Sequence, residues 1–133
     1  MKSDAYRILS EISLHLGNPR QAEQYCQRAI QLATDAGSKY CQGGAFRALG
    51  NIQAATDNLD EARKNLSSAL AILRELGDER EVTYTLSDIA NLEHKARNSQ
   101  QTREACTEVL DMAEALGLRR IVEQMTELKQ KLI

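Results

Sequence analysis

AFRALGNIQAATDNLDEARKNLSSALAILRELG, residues 45–77, decides the fold of this chain. Phe46, Leu49 and Ile52 recur at helical spacing and, with Thr56, mark one stripe of a first helix. Asp57-Asn58 interrupts the pattern. Leu59, Ala62, Leu66, Ala69, Leu70 and Leu73 then form the stripe of a second helix, which ends at Gly77. Glycine there suits the left-handed conformation that closes a helix. The stretch therefore reads as two antiparallel helices joined by a tight turn.

The same unit recurs on both sides without insertion or deletion. Shifted back by forty, Ala45, Arg47, Leu49, Ile52, Asn58, Ala62, Ala69 and Gly77 fall on Ala5, Arg7, Leu9, Ile12, Asn18, Ala22, Ala29 and Gly37. Shifted forward, Asn51, Asn58, Arg63, Leu70, Leu76 and Gly77 fall on Asn91, Asn98, Arg103, Leu110, Leu116 and Gly117. A period of this length marks a solenoid, whose units bury their apolar faces only by stacking. The expected helices span 4–16, 19–36, 39–56, 59–76, 79–96, 99–116 and 118–132. The expected fold is an all-α, right-handed α-solenoid forming a single domain over 1–133. Its repeats cover roughly 1–37, 38–77 and 78–117, and a capping helix covers 118–132. Leu118, Ile121, Val122, Met125, Leu128 and Leu132 give that last helix its apolar face. No comparable cap precedes the first helix, so a fragment of a larger regulator is expected, or an N-terminal end open to self-association.

Asn18, Asn58 and Asn98 each precede an apolar-periodic run and are followed three residues later by Gln21, Glu61 and Gln101. This spacing predicts capping boxes, in which the asparagine side chain accepts an early backbone N–H. Pro19 fits the first position of a helix, where no N–H is needed. Asp78 with Glu81 predicts the same device at the start of the third unit.

Composition excludes several function classes. With 17 basic and 19 acidic residues the net charge is −2, which provides no broad field for nucleic acid or an anionic membrane. No apolar run approaches a membrane span, and no leader is visible at the N-terminus. Three cysteines without a CxxC pair suit reduced thiols in a cytoplasmic setting. Cys26 and Cys106 take the place of Leu66 and read as small core residues, while Cys41 opens a helix. His15 and His94 lie in different units without metal-ligand spacing, and no phosphate loop or nucleophile elbow occurs. No cofactor and no enzymatic activity are expected.

The residues resemble the tetratricopeptide repeat (TPR) family. Phe46, Leu49-Gly50, Ala62, Leu66, Ala69 and Leu70 carry the resemblance, as do Tyr6, Leu9, Ala22, Cys26 and Ala29. The third unit departs from it, with Thr102 and Val109 where alanine is usual. The forty-residue period resembles the long-helix variety of the family. The resemblance implies a protein-interaction scaffold whose concave surface, lined by the first helices, binds a peptide or protein segment. It implies contacts from Asp4, Arg7, Glu11, Leu14 and His15 in the first unit, and from Gly44, Arg47, Asn51, Ala54 and Ala55 in the second. The third would supply Tyr84, Ser87, Asn91, His94 and Lys95. Among these, Arg7, Glu11, Arg47, Asn51, Tyr84, Ser87, Asn91 and Lys95 are the candidate partner-binding residues. Asn51 and Asn91 suit a peptide backbone, because a primary amide both donates and accepts. Arg7 and Arg47 suit an acidic ligand. The carboxylate clamp known in the family is not expected, since Glu11 replaces an asparagine and Tyr84 and Asp88 replace basic residues. A ligand-sensing regulatory domain and a self-associating repeat are the alternative readings.

Overall fold

The structure, a computed structural model, describes residues 2–132. It is all-helical, with no strand among the described residues. The helices are α1 (Lys2–His15), α2 (Pro19–Asp35), α3 (Lys39–Ala55), α4 (Leu59–Leu76), α5 (Glu79–Lys95), α6 (Ser99–Leu116) and α7 (Arg119–Gln130). These lie within a residue or two of the expected spans. The chain divides into two compact units, Met1–Gly77 and Asp78–Ile133, at a repeat boundary. Among the described residues no helix is long and apolar enough to cross a membrane.

In the first unit, α1 packs on α2, α2 on α3, and α3 on α4. In the second, α5 packs on α6 and α6 on α7. The second helices of all three repeats bury four columns at matching positions. These are Ala22, Ala62 and Thr102; Cys26, Leu66 and Cys106; Ala29, Ala69 and Val109; and Ala33, Leu73 and Ala113. The spacing i, i+4, i+7, i+11 keeps them on one helical face. The first helices answer with small residues. A Cβ built on Gly50 would lie 2.7 Å from Leu66 Cγ and 3.2 Å from the Ala62 carbonyl oxygen. One on Gly43 would lie 2.9 Å from Leu73 Cδ2. The matching positions in α1 are the buried Ser10 and Ser3, and Ser3 Oγ donates to the Ala29 carbonyl at 2.8 Å. In the second unit Cys106 Sγ lies 4.0 Å from Met125 Sδ, and Leu128 of α7 is also buried.

The turns repeat as regularly as the core. Gly37, Gly77 and Gly117 have φ of 67°, 72° and 72°, as expected for glycines that end helices. The turn inside each hairpin also uses a left-handed residue, at Gly17, Asp57 and Arg97. Asp57 and Arg97 gave no sequence signal for this, since neither is glycine. The following asparagines do two backbone jobs at once. Their N–H groups close the preceding helix, donating to the carbonyls of Ser13, Gln53 and Glu93 at 2.9, 2.8 and 2.9 Å. Their carbonyls open the next helix, accepting from Ala22, Ala62 and Thr102 at 3.0, 3.0 and 2.9 Å.

The capping-box expectation is corrected here. None of the three asparagine side chains accepts a cap hydrogen bond. Asn18 Nδ2 donates instead to Gln21 Oε1, and Asn98 Nδ2 to Glu93 Oε1. A side chain turned to present its donor to a neighbouring acceptor does not aim its oxygen at the helix N–H groups. Side-chain caps do occur at Asp78, which accepts from Glu81 N at 3.1 Å, and at Ser38, which accepts from Cys41 N at 3.2 Å. Thr56, read as part of the α3 stripe, is exposed and follows the helix as its C-cap.

Three predictions rest on this packing. Gly50→Ala should destabilise the protein by about 1–3 kcal/mol, because the new methyl meets α4 in a filled core. Gly44→Ala should be neutral or stabilise by up to about 1 kcal/mol, since its Cβ would be no nearer than 3.8 Å to Arg7 and alanine is the better helix former. Urea unfolding of both variants checks the contrast. The second prediction concerns Cys26, whose thiol burial pushes its pKa up from 9.0 to about 11. The folded protein holds this thiol neutral over a range where the unfolded chain ionises it, so stability should fall as pH rises from about 9 to 11. Replacing Cys26 with alanine should remove that part of the alkaline loss. In the native state near neutral pH, Ellman's reagent should modify the half-buried Cys41 ahead of the fully buried Cys26 and Cys106.

Candidate functional site

The candidate contact residues all lie on first helices. In the first unit these are α1 and α3, which pack on one another. Gly44 lies at their contact, and the Arg7 side chain lies over it. Arg7 Cδ and Nε are 3.8 and 3.9 Å from the position a Cβ would take there. The Arg7 stem therefore covers backbone, and its guanidinium remains on the surface.

That guanidinium is already matched by charge. Arg7 Nη1 donates to Glu11 Oε1 at 3.0 Å, and Arg7 Nε lies 3.9 Å from Asp4 Oδ1. The three residues occupy successive turns of α1, the spacing at which helical side chains meet. Two carboxylates against one guanidinium make this part of α1 acidic on balance. An acidic ligand that pairs with Arg7 therefore competes with Glu11 and Asp4 for it. The ion pairs are exposed and worth only about 0–1 kcal/mol each, so a ligand that supplied a better partner could rearrange them.

Other candidates divide by burial. Arg47, Asn51 and Ala54 on α3 are half-buried, while Ala55, Glu11 and His15 are exposed. Leu14 is placed otherwise than expected: it packs against the core cluster of Ala22, Cys26, Leu49 and Ile52. Its apolar side chain gains more there than on a solvated surface. In the second unit Asn91, His94 and Lys95 are exposed on α5, and Tyr84 is half-buried. Ser87 also departs from the expected surface position. It is buried, and its hydroxyl donates to the Tyr84 carbonyl at 2.7 Å, which satisfies it within its own helix.

A polar feature of the first unit gave no sequence signal. Gln53 is buried near the end of α3 and bridges three helices. Its Nε2 donates to Glu23 Oε1 of α2 at 3.4 Å, and its Oε1 accepts from Asn65 Nδ2 of α4 at 2.6 Å. A buried amide with both ends satisfied fixes helix register, because a shifted helix would strand a donor or acceptor. Its place in the repeat is held by Ser13 in α1, so residue type alone does not reveal the role.

Among the described residues no group of three or more His, Cys, Asp or Glu side chains is placed to hold a metal ion. The two thiols whose pKa is shifted, Cys26 and Cys106, are both raised by burial, which is the opposite of nucleophile activation. The arrangement offers amides, a charge ladder and small residues on helical faces, which suit recognition.

Comparison with known proteins agrees with this geometry. No curated protein matches the chain. Among solved structures it is similar to a Signal Transduction ATPase with Numerous Domains (STAND) protein with a tetratricopeptide repeat sensor, from Pyrococcus horikoshii. The TM-score is 0.86 at 21% identity, and the match covers 98% of this chain. The chain spans 20% of the length of that protein, and the likeness is one of fold. The tetratricopeptide repeat family itself matches residues 3–75, more than half of the sequence and both hairpins of the first unit. With two hairpins of matching length, small-residue columns in phase and the family's pattern across them, the chain belongs to the tetratricopeptide repeat family.

Proposed function

We propose that this protein is a non-catalytic interaction module that takes an extended peptide or protein segment against the exposed faces of its first helices. The observation that carries this reading is the α1–α3 face of the first unit. There Gly44 and Ala54 keep the surface low while Asn51 and Arg47 stand on the same helix. An extended segment presents unpaired peptide groups, and Asn51 can meet both a donor and an acceptor of such a segment. Asn91 holds the same repeat position on α5 of the second unit and would act in the same way. The acidic balance of Asp4, Arg7 and Glu11 favours a ligand that is neutral or basic where it passes α1. Arg47 would select an acidic group one turn along α3.

Likeness to the sensor repeats of a multidomain signalling ATPase supports a regulatory setting, in which this module reports the presence of its ligand to a larger assembly. A reduced, cytoplasmic location fits three free cysteines.

The test begins with peptides selected on the full chain from a displayed random library. Asn51→Ala should weaken the selected peptides by ~1 kcal/mol, about fivefold, through lost backbone hydrogen bonds. Arg47→Ala should reduce both affinity for acidic peptides and the salt dependence of binding, because exposed charges are screened by ions. Both variants should keep the parent's unfolding free energy to within about 1 kcal/mol, whereas Leu66→Ala should lose about 2–5 kcal/mol through a core cavity. The reading is sunk if bound peptides protect only α2, α4 and α6 from hydrogen exchange. Asparagine variants as unstable as the leucine variant would sink it as well.

A further inference from the structure

The guanidinium of Arg7 is held along its edge and supported from one side. Arg7 Nη1 donates to Glu11 Oε1 at 3.0 Å, and Nε lies 3.9 Å from Asp4 Oδ1. A guanidinium carries all its N–H groups in one plane, so carboxylates that pair with it lie along its edge and leave its faces to other neighbours. Gly44 of α3 supplies the support. Arg7 Cδ and Nε stand 3.8 and 3.9 Å from the point where a Cβ would be, and among the described residues no other helix places an atom within 4 Å of that point. The near-equal distances mean that this end of the side chain lies across α3 instead of pointing away from it. Even so, 35% of the Arg7 side chain is exposed. Both walls of the site, α1 and α3, belong to the first unit.

Three kinds of ligand group can meet such a surface. A carboxylate has to displace Glu11 and Asp4 from the guanidinium and then sits beside both of these like charges. An ammonium finds the two carboxylates, but with the cation of Arg7 between them. An aromatic ring meets neither obstacle. The negative face of a ring is attracted to a guanidinium, and arginine stacks on aromatic rings through the plane that its hydrogen bonds leave free. The edge donors of Arg7 then keep their carboxylates. No ring of this chain takes that place among the described residues, where the aromatic pair is Tyr6 with Tyr25, between α1 and α2. Gly44 also leaves no side chain beside the guanidinium to prop a flat ring away from it.

We propose that Arg7 is a stacking platform for an aromatic side chain of the bound segment, a tryptophan, tyrosine or phenylalanine that closes over its exposed face. This rests on the binding of an extended segment at the α1–α3 face and names the residue class that such a segment brings to α1. The α3 backbone at Gly44 supports the guanidinium from beneath. Glu11 and Asp4 act as positioning residues, since their pairing holds the plane in place and spends its edge donors. The role belongs to arginine and not to positive charge alone, because a lysine ammonium has no flat face.

The probe is N-acetyl-tryptophan amide, titrated into the full chain while the Arg7 Nε–H and Gly44 N–H resonances are followed by NMR. The chain has no tryptophan, so the probe's indole N–H stands alone in the spectrum. A ring above the guanidinium should move the Arg7 resonance upfield in a saturable way, whereas N-acetyl-leucine amide should leave it in place. Arg7→Lys keeps the charge and loses the plane. It should weaken the probe about two- to fivefold, read at Gly44, with an unchanged circular dichroism spectrum. The proposal is overturned if no saturable shift appears at Arg7, or if the leucine amide moves Arg7 as far as the tryptophan amide does. Equal binding of the probe by the lysine variant overturns it too, as does a larger response to N-acetyl-aspartate amide, which would assign the site to acidic groups. An upfield shift at Arg7 in a chain that selects no peptide from the displayed library would keep this site and sink the peptide reading, so the two fail separately.

Discussion

The structure of each hairpin depends on how closely its two helix backbones can approach. At Gly50 the first helix of the middle repeat comes so near α4 that a methyl group would sit 2.7 Å from Leu66 and 3.2 Å from a backbone oxygen. Helices normally lie 8–10 Å apart according to the side chains between them, so small residues at the contact set the short end of that range. This closeness lets the second helices bury four columns of mostly small side chains. The first helices bury still more of their surface, with six buried residues on α3 and eight on α5. The remaining faces carry the residues that can meet other molecules.

The turns keep that geometry in step along the chain. A left-handed residue closes a helix at 17, 37, 57, 77, 97 and 117, twice in every repeat. After each inner turn a single asparagine backbone ends one helix and begins the next. A residue inserted there would leave one of those two hydrogen bonds unmade and rotate the second helix by about 100° relative to its core. This accounts for the constant spacing of corresponding turns along the chain. Arginine tolerates the left-handed conformation at 97 only at a local cost of about 1–2 kcal/mol relative to glycine. Hydrogen bonds on both sides of the turn offset it.

The exposed faces lean toward recognition rather than chemistry. On α1 a guanidinium lies between two carboxylates at solvent, which shapes electrostatic preference more than stability. Two of the three thiols, Cys26 and Cys106, are buried, and burial raises their pKa. In the first unit the half-buried polar residues Arg47 and Asn51 lie on α3, and the exposed apolar residues Ile8, Leu9 and Ile12 lie on α1. Tetratricopeptide repeats generally mediate interactions between proteins, and this division of surfaces suits that role.

The order of letters alone determined the helices, their ends and the core columns of the second helices. Those features depend on spacing along one chain: 3.6 residues per turn, glycine where φ is positive, and small residues at i and i+4. It did not determine which side chains stay open. Leu9 and Leu49 are the same residue in the same phase, yet one is half in water and the other is not. Leu14 turns into the core, Ser87 is buried, and Arg7 is held between Asp4 and Glu11. The asparagines beside the inner turns act through their backbones and leave their side chains to other partners. Burial and pairing of this kind are set by neighbours brought across from other helices, and a repeat pattern assigns equal environments to positions whose neighbours differ.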